Sequence, residues 1–401
     1  MEMEALDSCI QTCIDKSVDF ALVSGDIFHV SIPDLNVVNE SIRRLRKLVE
    51  HKIPIYVIYG SHDYTPNGTS IIDILDTAGI LTNIVKYKMS EGKLELSFLV
   101  DKKTGAKITG LSARKLGLES KYYEILDREK LEKEDGFKIF AFHSGITELK
   151  PSFLSEMETV PISYFPRDFS YYAGGHIHER GEFHLRGYSK IVFPGPLFTG
   201  YGKDIEDTAK GTKRGFYLVS FDSNNVIETK FEEIKSFEGA HFEYDATSKN
   251  SHEAAKEIQQ KLERLDVNGK VVILRFKGEL AGGKTTDIDF TAIRKRLIQR
   301  GAQYIYTNRY GLTSKESGSN RIAGDDPPVI EASLFKENIG SVQVSQKELR
   351  GEQGSALAIA LLKVMREKQK TGEQKGEYEE RIFEDALATL HLKDEFEVES
   401  S

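Results

Sequence analysis

Long apolar runs are missing from this sequence. No stretch approaches the ~20 residues that a membrane-crossing helix needs, and the opening MEMEALDSCI is acidic and has no signal-peptide pattern. The expectation is a soluble protein of the cytoplasm with no membrane partner. Cysteine is nearly absent: Cys9 and Cys13 are the only two, four apart in a segment of helical spacing, which fits neither a disulfide framework nor a zinc cluster and points to helix packing. An excess of positive charge is lacking too. With 55 Lys and Arg against 63 Asp and Glu the formal net charge is -8, which argues against a protein that coats nucleic acid by charge alone, although a basic groove or a metal centre can still attract phosphate.

What is present is globular. A hydrophobic content of 39% with 29% charge excludes broad disorder, and 401 residues suffice for two or three domains. Leu6, Ile10, Cys13 and Ile14 fall at helical spacing, and residues 18–24, VDFALVS, then read as a buried strand that stops at Gly25-Asp26. The pattern recurs: Val38, Ile42, Leu45 and Val49 mark a second helix, and residues 53–59, IPIYVIY, form a strand ending at Gly60-Ser61-His62-Asp63. A third strand, 137–142, runs into His143, and a fourth runs into AGGHIHE, residues 173–179. There His176 and His178 are two apart, the spacing at which extended backbone places side chains on one face.

Four strands thus end in a potential ligand. Open α/β sheets build their sites just beyond the carboxyl ends of the strands, where loops converge on a rigid frame. Asp26, His62, His143, His176 and His178 all occupy such positions. Histidine and carboxylate donors without cysteine suit manganese, iron or zinc better than calcium, and the oxygen donors favour manganese. A carboxylate can bridge two cations while an imidazole binds one, which makes Asp26 the natural bridge. Two adjacent cations would polarise a phosphodiester and generate a hydroxide nucleophile, so the predicted chemistry is phosphoester hydrolysis.

Gly25-Asp26, Gly60-Ser61-His62-Asp63, His143 and Gly175-His176-Ile177-His178 resemble, in order and approximate spacing, the successive motifs of calcineurin-like metallophosphoesterases. Within that superfamily GDIFH, the FHSGI context of His143 and YYAGGHIHE followed by VFPGPL are most similar to DNA double-strand-break repair nucleases of the Mre-eleven/SbcD type. The resemblance implies a two-sheet αββα sandwich and two Mn2+ ions per site. It implies Asp26 as the bridge, His143 and His176 on the second metal, and His178 on the first. His62 would stand beside the scissile phosphate as proton donor, with Asp63 orienting its ring, and His29 would lie near the active site. Two departures accompany these matches. No D-x-H precedes Asp26, so the strand that bears it in the family is expected upstream of Met1, in a truncated gene model. Ser61 stands where the family has an asparagine that ligates the second metal, and a hydroxyl is a weaker donor there.

Residues 215–221 and 225–234 read as strands that complete the second sheet of a first domain, 1–235. Residues 236–320 read as a small α+β domain, strand–helix–strand–helix–strand, which in the resembled family caps the nuclease and helps hold DNA. Its basic residues Arg294, Arg296 and Arg309 are candidates for phosphate contact, beside the hydroxyls, amide and glycine of Tyr64, Thr65, Asn67, Gly68 and Thr69 after the second motif. Residues 321–345 are a polar, proline-interrupted linker. Residues 346–401 hold two amphipathic helices with apolar faces at Leu357, Leu361, Val364 and Met365 and at Phe383 and Leu387. Such helices need a partner surface; the resemblance implies the coiled-coil base of a Rad-fifty/SbcC-type ATPase.

Family members dimerise through helices corresponding to 5–16, 36–50 and 70–77, so a homodimer is expected. The expected function is manganese-dependent exo- and endonuclease processing of DNA ends with that ATPase, nucleoid-associated in a prokaryote. The absent D-x-H and Ser61 keep open a catalytically weakened scaffold subunit, and a small-molecule phosphodiesterase is the other alternative.

Overall fold

A computed structural model describes residues 1–65, 68–113, 119–150, 158–199, 201–235, 237–315, 351–370, 373 and 375–390. Asn67 and the predicted linker 321–345 lie outside these residues. The chain forms two compact units, Met1–Gly278 with Thr286–Leu312, and Glu279–Thr285 with Thr313–Ser401.

The first unit opens as α1 (Glu2–Asp15), β1 (Ala21–Val23), α2 (Leu35–Glu50), β2 (Ile55–Val57), α3 (Ile71–Thr77) and β3 (Thr82–Asn83). The three strands form a parallel sheet in the order β1-β2-β3. Asp34 starts α2 by accepting the Asn36 N–H, and Ser70 and Asp73 cap α3 reciprocally. The helices bury Ile10, Cys13, Val38, Leu45, Ile72 and Leu75 with Ile55 and Val57 of the sheet, so Cys13 packs in a helix–sheet core as expected.

A hairpin, β4 (Tyr87–Ser90) and β5 (Lys93–Leu96), leads into the second sheet. Its elements are β6 (Leu99–Val100), β7 (Lys107–Leu111), α4 (Glu119–Glu124), α5 (Arg128–Glu132) and β8 (Lys138–His143). After short β9 (Gly145–Ile146) and β10 (Thr159–Val160) come β11 (Tyr171–Gly175), β12 (Gly181–Leu185) and β13 (Tyr188–Phe193). The six-stranded order is β12-β13-β11-β8-β7-β6. All six residues of β8 are buried because both faces are covered. Phe140 and Phe142 pack with Tyr123, Leu131, Phe165 and Phe169 on one side. On the other, Ile139 and Ala141 meet Tyr56 and Ile58 from the first sheet. Two sheets with helices outside each make the expected αββα sandwich.

After α6 (Gly202–Ala209), β14 (Arg214–Phe221) and β15 (Val226–Ile234) correct the sequence reading. They do not extend the second sheet but form a two-stranded antiparallel ribbon of their own. The place beside β13 is already taken by β12, and the ribbon instead lays Tyr217, Val219, Phe221 and Val226 over the inter-sheet core. Then β16 (Gly239–Asp245), α7 (Ser251–Glu263), β17 (Val271–Leu280), α8 (Phe290–Gln299) and β18 (Tyr304–Ser314) follow in the predicted order, with the sheet β16-β17-β18. Through Leu312 this layer belongs to the first unit, and Asn308 of β18 donates to Glu206 of α6 at 3.0 Å.

In the second unit α9 (Gly351–Met365) and α10 (Lys375–Thr389) pack on each other, fastened by Arg381 to Glu367 and Glu373 at 2.7 Å each. Leu387 is buried and Leu357, Leu361 and Val364 are half-buried, whereas Met365 and Phe383 are exposed. Among the described residues no helix is long and apolar enough to cross a membrane.

The ends of the two sheets approach closely at Gly175, where a Cβ would lie 2.0 Å from the Ser24 carbonyl oxygen and 2.6 Å from His143 Nδ1. Gly175→Ala is therefore expected to lower stability by about 1–3 kcal/mol, the usual range for forcing atoms into a packed interior; an unchanged urea midpoint would contradict this packing.

Candidate metal centre

The carboxyl ends of β1, β2, β8 and β11 deliver Asp26, His62, His143 and His176 to one place. The chain leaves β1 through Gly25 and Asp26, both with left-handed backbone, φ +90° and +54°. That turn aims the Asp26 carboxylate across the sheet ends, where Oδ1 accepts the His62 N–H at 2.8 Å and Oδ2 lies 3.4 Å from Ser61 Oγ. Gly60 is required beside it, since a Cβ there would sit 2.0 Å from Asp26 Oδ1. Buried Asp63 accepts the main-chain N–H groups of Asp26 and Gly60, both at 2.7 Å. The sequence reading gave Asp63 the task of orienting the His62 ring; instead this carboxylate laces the two loops together, and Tyr201 meets the ring, its hydroxyl 2.7 Å from His62 Nε2.

His143 is buried, and its Nδ1 donates to the Ser24 carbonyl at 2.6 Å. That bond commits Nδ1 to the protein and turns Nε2 toward Asp26; burial alone would lower the His143 pKa, but the Asp26 carboxylate outweighs it and raises it, so a metal bound here would displace a proton from Nε2. Nε2 faces Asp26 Oδ2 at 3.1 Å, an ion pair when the ring is protonated, although the approach is not that of a well-aligned hydrogen bond. The His176 ring is 5.3 Å from that of His143. Its backbone is left-handed, φ +74°, so the extended geometry expected over 176–178 is absent; β11 stops at Gly175 and the turn, not strand alternation, sets the two rings. His178 Nδ1 bonds Asp204 Oδ2 at 2.7 Å. Arg214 backs this pair with Nη2 3.3 Å from Asp204 Oδ1, while its Nη1 donates to the His178 carbonyl at 2.9 Å. His29 stacks on His62 at 5.3 Å and meets Tyr201 edge-on at 4.7 Å.

Electrostatics sort these groups. Burial alone would raise the Asp26 carboxyl, but the His143 contact and the His62 N–H outweigh it and hold Asp26 below the usual carboxylate range. Burial pushes Asp63 up to about 6, against the pull of the Gly60 N–H. The outer side of His176 is open to solvent, yet loss of water around the ring and the neighbouring His143 pull it down to about 4. It is therefore neutral at pH 7, the state in which an imidazole ligates. For Asp204 burial opposes ionisation, and the His178 bond and the Tyr201 N–H prevail to lower its pKa.

These donors fit a divalent ion in chemistry: a buried imidazole nitrogen facing an ionised carboxylate, and two further imidazoles, one backed by a carboxylate. Among the described residues no three or more His, Cys, Asp or Glu side chains are grouped so that they could hold a metal ion as they stand, and Asp26 rests on protein donors instead.

The predicted DNA-contact residues are less available. Tyr64 stacks on Tyr59 at 5.1 Å and donates to the Ala113 carbonyl; Thr65 Oγ1 donates to the Thr69 carbonyl at 2.7 Å. Gly68 and Thr69 are exposed. Arg294 reaches the Ile305 carbonyl at 3.4 Å, Arg296 pairs with Glu263, and Arg309 lies 4.7 Å over the Phe290 ring. Sequence reasoning missed Tyr201, Asp204 and Arg214; the one local signal was an acidic residue in the first turn of α6, which reads as an ordinary cap.

The family model for calcineurin-like phosphoesterases matches residues 2–180. DNA double-strand break repair protein Mre11 of Methanococcus maripaludis is 28% identical over 278 residues, 68% of this chain and 70% of that protein. The protein of the same name from Methanocaldococcus jannaschii is 28% identical over 297 residues, 72% and 74% of the two chains. That from Methanopyrus kandleri is 25% identical over 245 residues, 58% and 52%. Residues 2–180 form a calcineurin-like phosphoesterase domain, and the chain is similar over 58–72% of its length to these proteins named Mre11. The matches span between about half and three quarters of these relatives' length. A calcineurin-like phosphoesterase domain implies divalent-metal binding, and the matched residues 2–180 include the four strand ends described above.

Asp204→Asn should weaken Mn2+ binding about 10–100-fold, as loss of a carboxylate behind a ligating histidine does elsewhere. Calorimetric titration measures this, with the unfolding midpoint followed alongside because Asp204 also holds Arg214. Unchanged affinity would remove His178 from the ligand set.

Proposed function

We propose that this chain is a manganese-dependent DNA nuclease, with exo- and endonuclease action, that processes double-strand breaks together with a Rad-fifty/SbcC-type ATPase. The observation that carries the reading is the buried His143 Nε2 facing the ionised Asp26 carboxylate at 3.1 Å where four strands of the domain end. Asp26, His143 and His176, with Ser61 at the edge, would hold one ion; Asp26 and His178 would hold the other. Bound there, the ions supply Lewis acidity and a water of lowered pKa.

The chain's own residues do the rest. Asp63 and Gly60 fix the Asp26 loop, Ser24 and Asp204 fix the tautomers of His143 and His178, and His62, stacked on His29, stands ready to protonate the leaving oxygen. The exposed backbone at Gly68 and Thr69 suits phosphate contact without base reading; Tyr64, Thr65, Arg294, Arg296 and Arg309 would add to it by sharing their present partners, and Asn67 is included on its place in the sequence alone. Exposed Ile32, Leu35 and Ile74, 70%, 77% and 53% accessible, lie at α2 and α3 and support a homodimer through these helices. Exposed Met365 and Phe383, with Leu357, Leu361, Val364 and Leu387, support α9–α10 as the ATPase-binding surface.

His62→Ala is expected to abolish DNA cleavage, a loss on the order of 10²-fold or more for a general acid, while Mn2+ binding stays near wild type. Cleavage that persisted in a preparation free of contaminating nuclease would defeat the assigned chemistry, and a wild-type chain that binds DNA without cutting it would make the protein a scaffold. Deletion of residues 346–401 should abolish association with the ATPase and leave intrinsic cleavage intact; association that survived the deletion would exclude α9–α10 as the docking element.

A further inference from the structure

One hydroxyl in the site has no part in the chemistry above. Tyr201 Oη lies 2.7 Å from His62 Nε2, within the 2.6–3.2 Å over which a proton passes between positioned groups. The ring is held on several sides: 4.7 Å from His29, 6.0 Å from His62 and 5.3 Å from His178. Its main-chain N–H is fixed on Asp204 Oδ2 at 3.0 Å, the same carboxylate oxygen that holds His178. Tyr201 is nonetheless 45% exposed, more open than the half-buried His62. The imidazole nitrogen that would serve a leaving group is therefore already occupied, and its occupant is a group that can itself donate a proton.

We propose that Tyr201 is a catalytic residue, its hydroxyl meeting the leaving oxygen while His62 resupplies the proton. This rests on the phosphodiester hydrolysis proposed above. As the bond from phosphorus to the leaving oxygen breaks, the electron pair left on that oxygen takes the Tyr201 Oη proton. Oη in turn takes the proton from Nε2 of the His62 imidazolium. One proton passes from the imidazolium to the alkoxide, the phenol ends as it began, and the neutral imidazole is reprotonated from water. The fixed main chain and the three flanking imidazoles keep Oη in place for both transfers.

The variant Tyr201→Phe keeps the ring among the imidazoles and removes only Oη. Two substrates separate the roles: an oligonucleotide, whose sugar alkoxide needs a proton to leave, and bis(p-nitrophenyl) phosphate, whose nitrophenolate does not. The expected result is a kcat on the oligonucleotide lower by about 10²-fold or more with KM unchanged, and turnover of the nitrophenyl ester within about twofold of wild type. Equal losses on both substrates would reduce Tyr201 to a structural role, and no loss on either would exclude the relay. A wild-type chain inactive on both would overturn the phosphodiesterase reading and the relay with it. A second readout needs no turnover. In the metal-free chain labelled with [15N]histidine, the His62 Nε2 resonance should shift in Tyr201→Phe, and an unmoved resonance would show that the contact on which the relay depends is absent.

Discussion

Ser24 fastens the two sheets to each other, and the site depends on that fastening. Its carbonyl accepts the His143 Nδ1 proton and its hydroxyl donates to the Ala173 carbonyl at 3.1 Å, so the end of β1 is tied to β8 and β11 at once. The first bond turns the other nitrogen of His143 toward Asp26. The closeness of the strands excludes a side chain at Gly175, and the left-handed turn that follows Ser24 brings the Asp26 carboxylate over the gap. Without a metal, the proton that Asp26 favours on His143 Nε2 pairs the two groups; a metal bound there would take the place of that proton.

The three carboxylates near these histidines show how environment separates identical groups. Asp26 is held ionised by the imidazole and the N–H it faces; Asp63, deeper and used by main-chain donors, is pushed up to about 6 by burial. Asp204 stands behind His178 and is itself backed by Arg214. Asp204 also belongs to α6, whose Glu206 accepts from Asn308 and lies 3.7 Å from Arg275. The same eight-residue helix therefore touches the site through Asp204 and the β16-β17-β18 sheet through Glu206, two residues later.

Much of this was legible in the sequence because the signals were local. Apolar runs such as IPIYVIY that stop at a glycine and a polar residue marked the strand ends, and the donor types at those ends marked the chemistry. The amphipathic periods of α1, α2, α7 and α8 survived because each helix buries one face. What was not legible depends on distant approach or on backbone conformation. His176 and His178 look like neighbours on a strand, and only the positive φ of His176 shows that the strand has already ended. Tyr201 meets His62 across 139 residues of chain, a distance at which no pattern in sequence can speak. Arg296 and Arg309 read as a basic face, yet Glu263 and the Phe290 ring occupy them. The ribbon β14–β15 alternates like any sheet strand, and what decided its pairing was β12 already standing beside β13.

The account turns on whether His143 Nε2 and Asp26 are metal ligands. Crystals grown with Mn2+ and measured at the manganese absorption edge would answer this directly. The predicted result is an anomalous peak in coordination contact with both His143 Nε2 and an Asp26 carboxylate oxygen, with His176 completing that ion's protein donors. A map with no peak at that position, or with manganese bound only by other residues, would contradict the account.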